Sequence, residues 1–275
     1  MNGRTLLRWS GYAAIAVVFA IACLLLSQWQ FARMAERDAE LAVVEANYDR
    51  EPVTLNEVLA PGGDFDPDDE WTPVLLRGEY LADQQLLVRN RPHGGTSAFE
   101  VLVPFRTDDG RIVIVDRGWV RPGADSPEPD AVPAPPAGEV TVVARLLPEE
   151  PAPRAGRTAP EGQVPTVNLD LVAEQLRVDG EFVDSAYALM ASEDPAPAER
   201  PAALASPSED PGPHLSYAIQ WILFAVMGGV FVGYMIVTER RHRREDAEEA
   251  SQRAARAARR RDRDMQDEDD LLDVR

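Results

Sequence analysis

HLSYAIQWILFAVMGGVFVGYMIV, residues 214–237, is the stretch that decides the architecture. Residues 215–237 carry no charged side chain. At about 1.5 Å per helical residue, such a run crosses a hydrocarbon core of about 30 Å with some tilt. Arg240, Arg241, Arg243 and Arg244 follow it. A second uncharged run, residues 11–28, lies near the start, preceded by Arg4 and Arg8 and closed by Trp29 as an interfacial anchor. Basic residues gather on the cytoplasmic side of a span, so both flanks point the same way. The expected arrangement is a hairpin in the cell membrane. It has a cytoplasmic N-terminus (1–10), transmembrane helix 1 (11–29), an extracytoplasmic domain (30–213), transmembrane helix 2 (214–237) and a charged cytoplasmic tail (238–275).

Two rivals to a retained first span stay open. A cleaved signal peptide would share the basic start and apolar middle, but Leu24-Leu25-Leu26-Ser27-Gln28-Trp29 offers no clean small-x-small exit. Ala20-Ile21-Ala22-Cys23 resembles a lipoprotein site, yet Ala20 suits it poorly and three leucines follow the cysteine. The retained helix is the expectation.

The chain has 275 residues and a net charge of −19, and all 28 of its basic residues are Arg. Residues 33–213 hold 15 Arg against 35 Asp and Glu, so the acidity belongs to the external domain. Such acidity disfavours a nucleic-acid binder, which needs a net basic face against phosphates. One cysteine, Cys23, excludes an internal disulfide framework. Three histidines, His93, His214 and His242, leave little room for a multi-histidine metal centre. P-loop, GxGxxG, GxSxG, HExxH and EF-hand signatures are all missing, so no common catalytic signature is present.

Small residues mark one face of each span. Ala13, Ala16, Ala20, Cys23 and Ser27 recur at spacings of a left-handed helix pair, and Ala225, Gly229 and Gly233 recur every fourth residue. Pairing of the two spans is the expectation, and pairing with a larger membrane complex is the rival.

Between the spans the sequence reads as α+β, with an antiparallel sheet and flanking helices. Residues 33–60 read as helix. Strands are expected at 73–80, 85–89, 99–105, 111–116, 139–147 and 182–190, with Asp108-Asp109-Gly110 as a turn. A capped helix is expected at 168–176, with Asn168 or Asp170 as the cap. Proline-rich loops fill 122–136, 148–165 and 193–213. The tail reads as disordered, with a surface helix over 251–261 as the alternative.

His214 opens the second span. At about 100° per residue, His214, Ala218, Trp221 and Ala225 form one stripe with Tyr217 beside it, and Gly228 and Gly229 extend it as a groove of small residues. An imidazole at the outer interface above such a groove suits a flat, amphipathic, iron-bearing ligand. Arg33, at the end of the first span, is the nearest cation for its carboxylates. An ordinary interfacial histidine in a Tyr/Trp belt gives the same pattern.

Several motifs in order carry a resemblance. Leu26-Ser27-Gln28-Trp29-Gln30-Phe31-Ala32-Arg33, Gly78-Glu79-Tyr80, Arg117-Gly118-Trp119-Val120 and His214-Leu215-Ser216-Tyr217-Ala218-Ile219-Gln220-Trp221 together resemble the Surfeit locus protein 1 family, over about residues 26–237. Ser27 stands where the family pattern has Gly, and the proline-rich insertions and the tail lie outside it. The resemblance implies a membrane assembly factor for cytochrome c oxidase, not an enzyme. It implies transient haem a binding with His214 as iron ligand, helped by Tyr217, Trp221 and Arg33, and delivery to oxidase subunit I. The partners implied are that subunit, haem a synthase and membrane lipid. A protein-only scaffold that stabilises oxidase subunits is the alternative, and a two-span sensor is a weaker one. Trp29, Gln30, Gly78, Tyr80, Arg117, Gly118 and Trp119 are the family-signature positions. For Arg117-Gly118-Trp119 two readings stay open. One is a structural turn, with Arg117 paired at the surface to Asp116 or Glu79. The other is contact with haem or the oxidase. His93 reads as a solvent loop residue and His242 as a topological one.

Overall fold

Alternation is clearest in the strand Glu139–Pro148, where Val140, Val142, Ala144 and Leu146 are buried and the residues between them are not. A strand sends successive side chains to opposite faces, so this pattern puts one face in a core. The computed structural model describes residues 3–154 and 159–273. The chain forms two compact units, one from residues up to 36 and from 211 onward, the other from 37–210.

In chain order the elements are α1 (Gly3–Asn47), β1 (Val53–Thr54), α2 (Leu55–Val58), β2 (Pro73–Tyr80), β3 (Leu86–His93), β4 (Thr96–Thr107), β5 (Arg111–Val120), β6 (Glu139–Pro148), β7 (Gln163–Val164), α3 (Leu169–Gln175), β8 (Glu181–Phe182), β9 (Ala186–Asp194) and α4 (His214–Asp273).

Five strands close a ring. β2 pairs β6, β6 pairs β9, β9 pairs β5, β5 pairs β4, and β4 returns to β2. Inside the ring lie Val74, Leu76, Tyr80, Val101, Val103, Phe105, Val113, Val115 and the β6 set. A second core covers the other face of β4 and β5, where Leu102 and Ile114 meet Val88, Val164, Leu169 and Val172. Asn168 caps α3 by accepting from the Leu171 amide at 3.3 Å.

The expected antiparallel sheet is corrected to a mixed one. β1 runs parallel to β2, β7 to β3, and β8 and β9 to β5. The long intervening loops allow these crossovers, which tight turns do not. The helix read over 33–60 stops at Asn47, whose side-chain amide donates to the carbonyls of Asp68 at 2.7 Å and Glu70 at 2.9 Å. Pro52 then blocks helical continuation, and Val53–Thr54 pairs as an edge strand. The tail, expected to be disordered, continues α4 as helix to Asp273, with Arg243–Glu239 and Arg253–Glu249 pairs one turn apart.

Glycine closes the ring. Gly78 has φ +153°, and a Cβ there would lie 1.9 Å from the Arg106 carbonyl oxygen. At this position β2 pairs β6 and β4 at once, which leaves no room for a side chain.

α1 and α4 are both long and apolar enough to cross a membrane by length and composition. Val17, Val18, Leu24, Leu25, Val230 and Phe231 are all exposed on them. Within their unit they pack along one seam. Cys23 and Ser27 of α1 and Ala218 of α4 are buried, and the Ser27 hydroxyl donates to the Ala218 carbonyl at 3.0 Å. A Cβ on Gly228 would meet Phe19 at 3.1 Å. Gly229 and Gly233 face away, with nothing within 4 Å. The second span therefore packs through its 214, 218, 221, 225, 228 stripe, and Gly229 and Gly233 of the four-residue repeat take no part.

Candidate functional site

His214 is the first residue of α4 and is half-buried. Its Nδ1 lies 3.0 Å from Oε1 of Gln30, which is itself buried. An amide oxygen only accepts, so Nδ1 donates its proton to this contact, and in the neutral ring the lone pair then lies on Nε2. The Cδ2–Nε2 edge of the ring lies beside Gly212. A Cβ on Gly212 would stand 3.4 Å from Cδ2 and 3.5 Å from Nε2, an ordinary packing contact, so it is the φ of +74° that calls for glycine there. The donor set fits a haem iron in its chemistry: an imidazole whose Nδ1 is engaged by an amide has Nε2 as its iron-capable nitrogen.

The other candidate residues spread around this point. Tyr217 is exposed, and Trp221 is half-buried and packs edge-on against Phe224 at 5.7 Å. Arg33 is half-exposed and ion-pairs with Glu36 on its own helix. Trp29 is exposed, at the same helical level as Gln30. The groove of small residues expected below His214 is filled by α1: Ser27 lies on Ala218 and Phe19 on Gly228. Small residues made close approach possible, and the first helix took the space. His242 sits 3.6 Å from Glu245 on the exposed tail.

In the other unit, Arg117-Gly118-Trp119 ends β5. Arg117 is not at the surface, as one reading had it. Its guanidinium is sealed from water, donating to Glu193 at 2.7 Å and 3.3 Å and to the Pro133 carbonyl at 2.9 Å, and lies 5.4 Å from the Tyr80 ring centre. Gly118 has φ +120°, and a Cβ there would come within 2.3 Å of the Ala202 carbonyl oxygen. Trp119 exchanges backbone bonds with Ala202 at 2.8 Å and 2.9 Å, and its indole N–H donates to the Ala203 carbonyl at 3.2 Å. The motif thus pins the proline-rich strap that follows β9. Further along, the strap is held by Tyr48, whose hydroxyl donates to Ser206 at 2.9 Å, and by Arg37, which donates to the Ser208 carbonyl at 2.6 Å and the Asp210 carbonyl at 3.2 Å.

Sequence reading missed a charged cluster beneath Trp119. His93, expected to be a loop residue, stacks on the indole at 5.5 Å and lies 2.8 Å from Glu100. Glu100 is buried and also pairs with Arg91, which bridges to Glu150. Asp116 is fully buried, accepts from the Gly118 amide at 2.9 Å, and has its pKa raised by burial and by the neighbouring Glu100 charge. Burial works against the charge on Arg91, but Glu150 and Glu100 outweigh it and raise its pKa. Arg91 and His93 lie on β3, Glu100 on β4, Asp116 on β5 and Glu150 in the loop after β6, so beyond the Arg91/His93 alternation no local spacing links them. The signal available was single charged residues, Glu100 and Asp116, set into strands that are otherwise apolar.

The sequence model of the SURF1 family matches residues 17–226. An uncharacterized SURF1-like protein of Mycobacterium tuberculosis (strain H37Rv) is 36% identical over 241 residues, covering 86% of this chain and 86% of that protein. The cytochrome oxidase assembly protein SHY1 of Saccharomyces cerevisiae is 30% identical over 96 residues, covering 34% of this chain and 24% of that protein. A SURF1-like protein of Rickettsia felis is 26% identical over 93 residues, covering 33% of this chain and 38% of that protein.

Proposed function

The chain belongs to the SURF1 family, and from that membership we propose a membrane-anchored assembly factor for cytochrome oxidase that holds haem a through His214 and aids its delivery to subunit I. The name of the yeast relative, an oxidase assembly protein, supports the assembly role. The haem role is carried by one observation: a half-buried imidazole whose Nδ1 is engaged by Gln30, which makes Nε2 the nitrogen that can ligate. Haem a supplies the redox chemistry that the oxidase needs. This chain's residues bind and orient it: His214 through Nε2, Tyr217 and Trp221 through their rings, and Arg33, with half of its side chain in water, toward a carboxylate. One axial donor suits a carrier, because cargo held from one side can leave.

The exposed apolar faces of α1 and α4 support insertion in lipid. Arg4 and Arg8 before the first and Arg240 to Arg244 after the second support cytoplasmic termini in the cell membrane. Haem a synthase is the partner this reading expects upstream.

A scaffold that stabilises oxidase subunits without haem is the second reading. Gly78, Arg117 and Gly118 favour it, since their contacts are all spent on the domain's own architecture. A deletion strain complemented with wild type or His214→Ala separates the two. Carriage predicts loss of the haem a band from membrane difference spectra with His214→Ala. A full band there, with loss only when the whole chain is absent, supports the scaffold.

A further inference from the structure

We propose that Gln30 is a positioning residue that decides which nitrogen of His214 is free to hold iron. The inference rests on the haem-carrier reading and deepens it. Gln30 is 9% exposed, so water does not compete well for its amide. Its placement is set by backbone register, not by one flexible rotamer. Residues 27 and 30 of α1 face residues 218 and 214 of α4 in antiparallel order, and the Ser27 bond to the Ala218 carbonyl fixes that register one turn away. Phe19 against Gly228 continues it.

Three consequences follow from the chemistry. An amide oxygen on Nδ1 selects the Nδ1–H tautomer, so Nε2 alone can ligate. The hydrogen bond also fixes the ring plane, with the Nε2 edge toward Gly212. A neutral acceptor makes imidazole a weaker ligand than a carboxylate would, since an anionic partner raises ligand basicity. A carrier that must give up its cargo is served by the neutral partner. The signature pair Trp29-Gln30 then divides its work: Trp29 is exposed on the helix surface, while Gln30 turns inward to His214.

The test is nitrogen-15 NMR of the full-length protein in detergent micelles without haem, at a pH of about 8.5 where an ordinary imidazole is neutral. With three histidines in the chain, comparison with His214→Ala assigns the signals. The proposal expects Nδ1–H for His214 in wild type, the same tautomer in Gln30→Glu, and a mixture or the opposite tautomer in Gln30→Leu. Gln30→Leu should also weaken titration with iron protoporphyrin IX by roughly 10–100-fold, and Gln30→Glu should lower the midpoint potential of the bound iron. An Nε2–H tautomer in wild type, or one unchanged in Gln30→Leu, overturns the proposal. If wild type shows Nδ1–H but binds no haem, the positioning role stands and the carrier reading fails.

Discussion

Arg117 and Glu193 form a two-pronged ion pair, Nη2 to Oε1 at 2.7 Å and Nε to Oε2 at 3.3 Å, with both side chains out of water. It joins the ends of β5 and β9, and the third guanidinium nitrogen reaches the 122–136 loop at Pro133. Removing one partner of a buried pair strands a charge, which costs about 3–5 kcal/mol, whereas replacing both by apolar groups is often neutral. Glu193→Leu should therefore lower the melting temperature of the detergent-solubilised protein strongly. Adding Arg117→Met should recover most of the loss, and an additive double variant would refute the coupling.

Gly118 and Gly78 fail differently when given a side chain. At Gly118 the intruded atom belongs to the strap, so Gly118→Ala should unpin residues 202–203 and speed proteolysis there while the sheet persists. At Gly78 the intruded atom belongs to β4, so Gly78→Ala should prevent ring closure and yield little folded protein. Limited proteolysis with mass spectrometry distinguishes the outcomes.

The seam between α1 and α4 predicts an asymmetry among glycines. Gly229→Ala and Gly233→Ala meet open space and should leave thermal stability within about 0.5 kcal/mol. Gly228→Val drives into Phe19, and Ala218→Leu overfills a position with no exposure; each should cost about 1–3 kcal/mol. Equal tolerance at all four positions would contradict the packing face assigned here.

Asp116 makes stability pH-dependent. Its folded pKa lies above the unfolded value of about 3.9, so the folded state holds the proton more tightly. The stabilisation is complete below the unfolded pKa and is lost as pH rises through the folded one. Asp116→Asn keeps an acceptor for the Gly118 amide and removes the charge. It should raise the melting temperature near neutral pH, with the gain shrinking as the solution is acidified. A gain that grows on acidification would have the wrong sign.

How much was legible in the sequence depends on whether the cause was local. The two apolar helices announced themselves by composition, β2 and β6 by alternation, and α3 by Asn168 before an apolar run. His214 was visible because it stands where charge-free sequence begins. Hidden causes were all non-local. Two-residue strands such as β1, β7 and β8 have no period to read and exist only through their partners. Glu193 opens a stretch read as a proline-rich loop, but β9 continues through Asp194 and brings Glu193 to Arg117. His93 looked like a loop residue because Gly94 and Gly95 follow it, yet the β3–β4 turn folds it onto Trp119 and Glu100. Gln30 belonged to a quoted motif, but its contact lies 184 residues away.

The most direct measurement is haem a content per mole of the full-length protein purified from membranes that make haem a, for wild type and His214→Ala, by pyridine haemochrome spectrum. The account predicts a haem a signal in wild type and its loss, by about tenfold or more, in the variant with folding intact. Equal haem a in both proteins would contradict it.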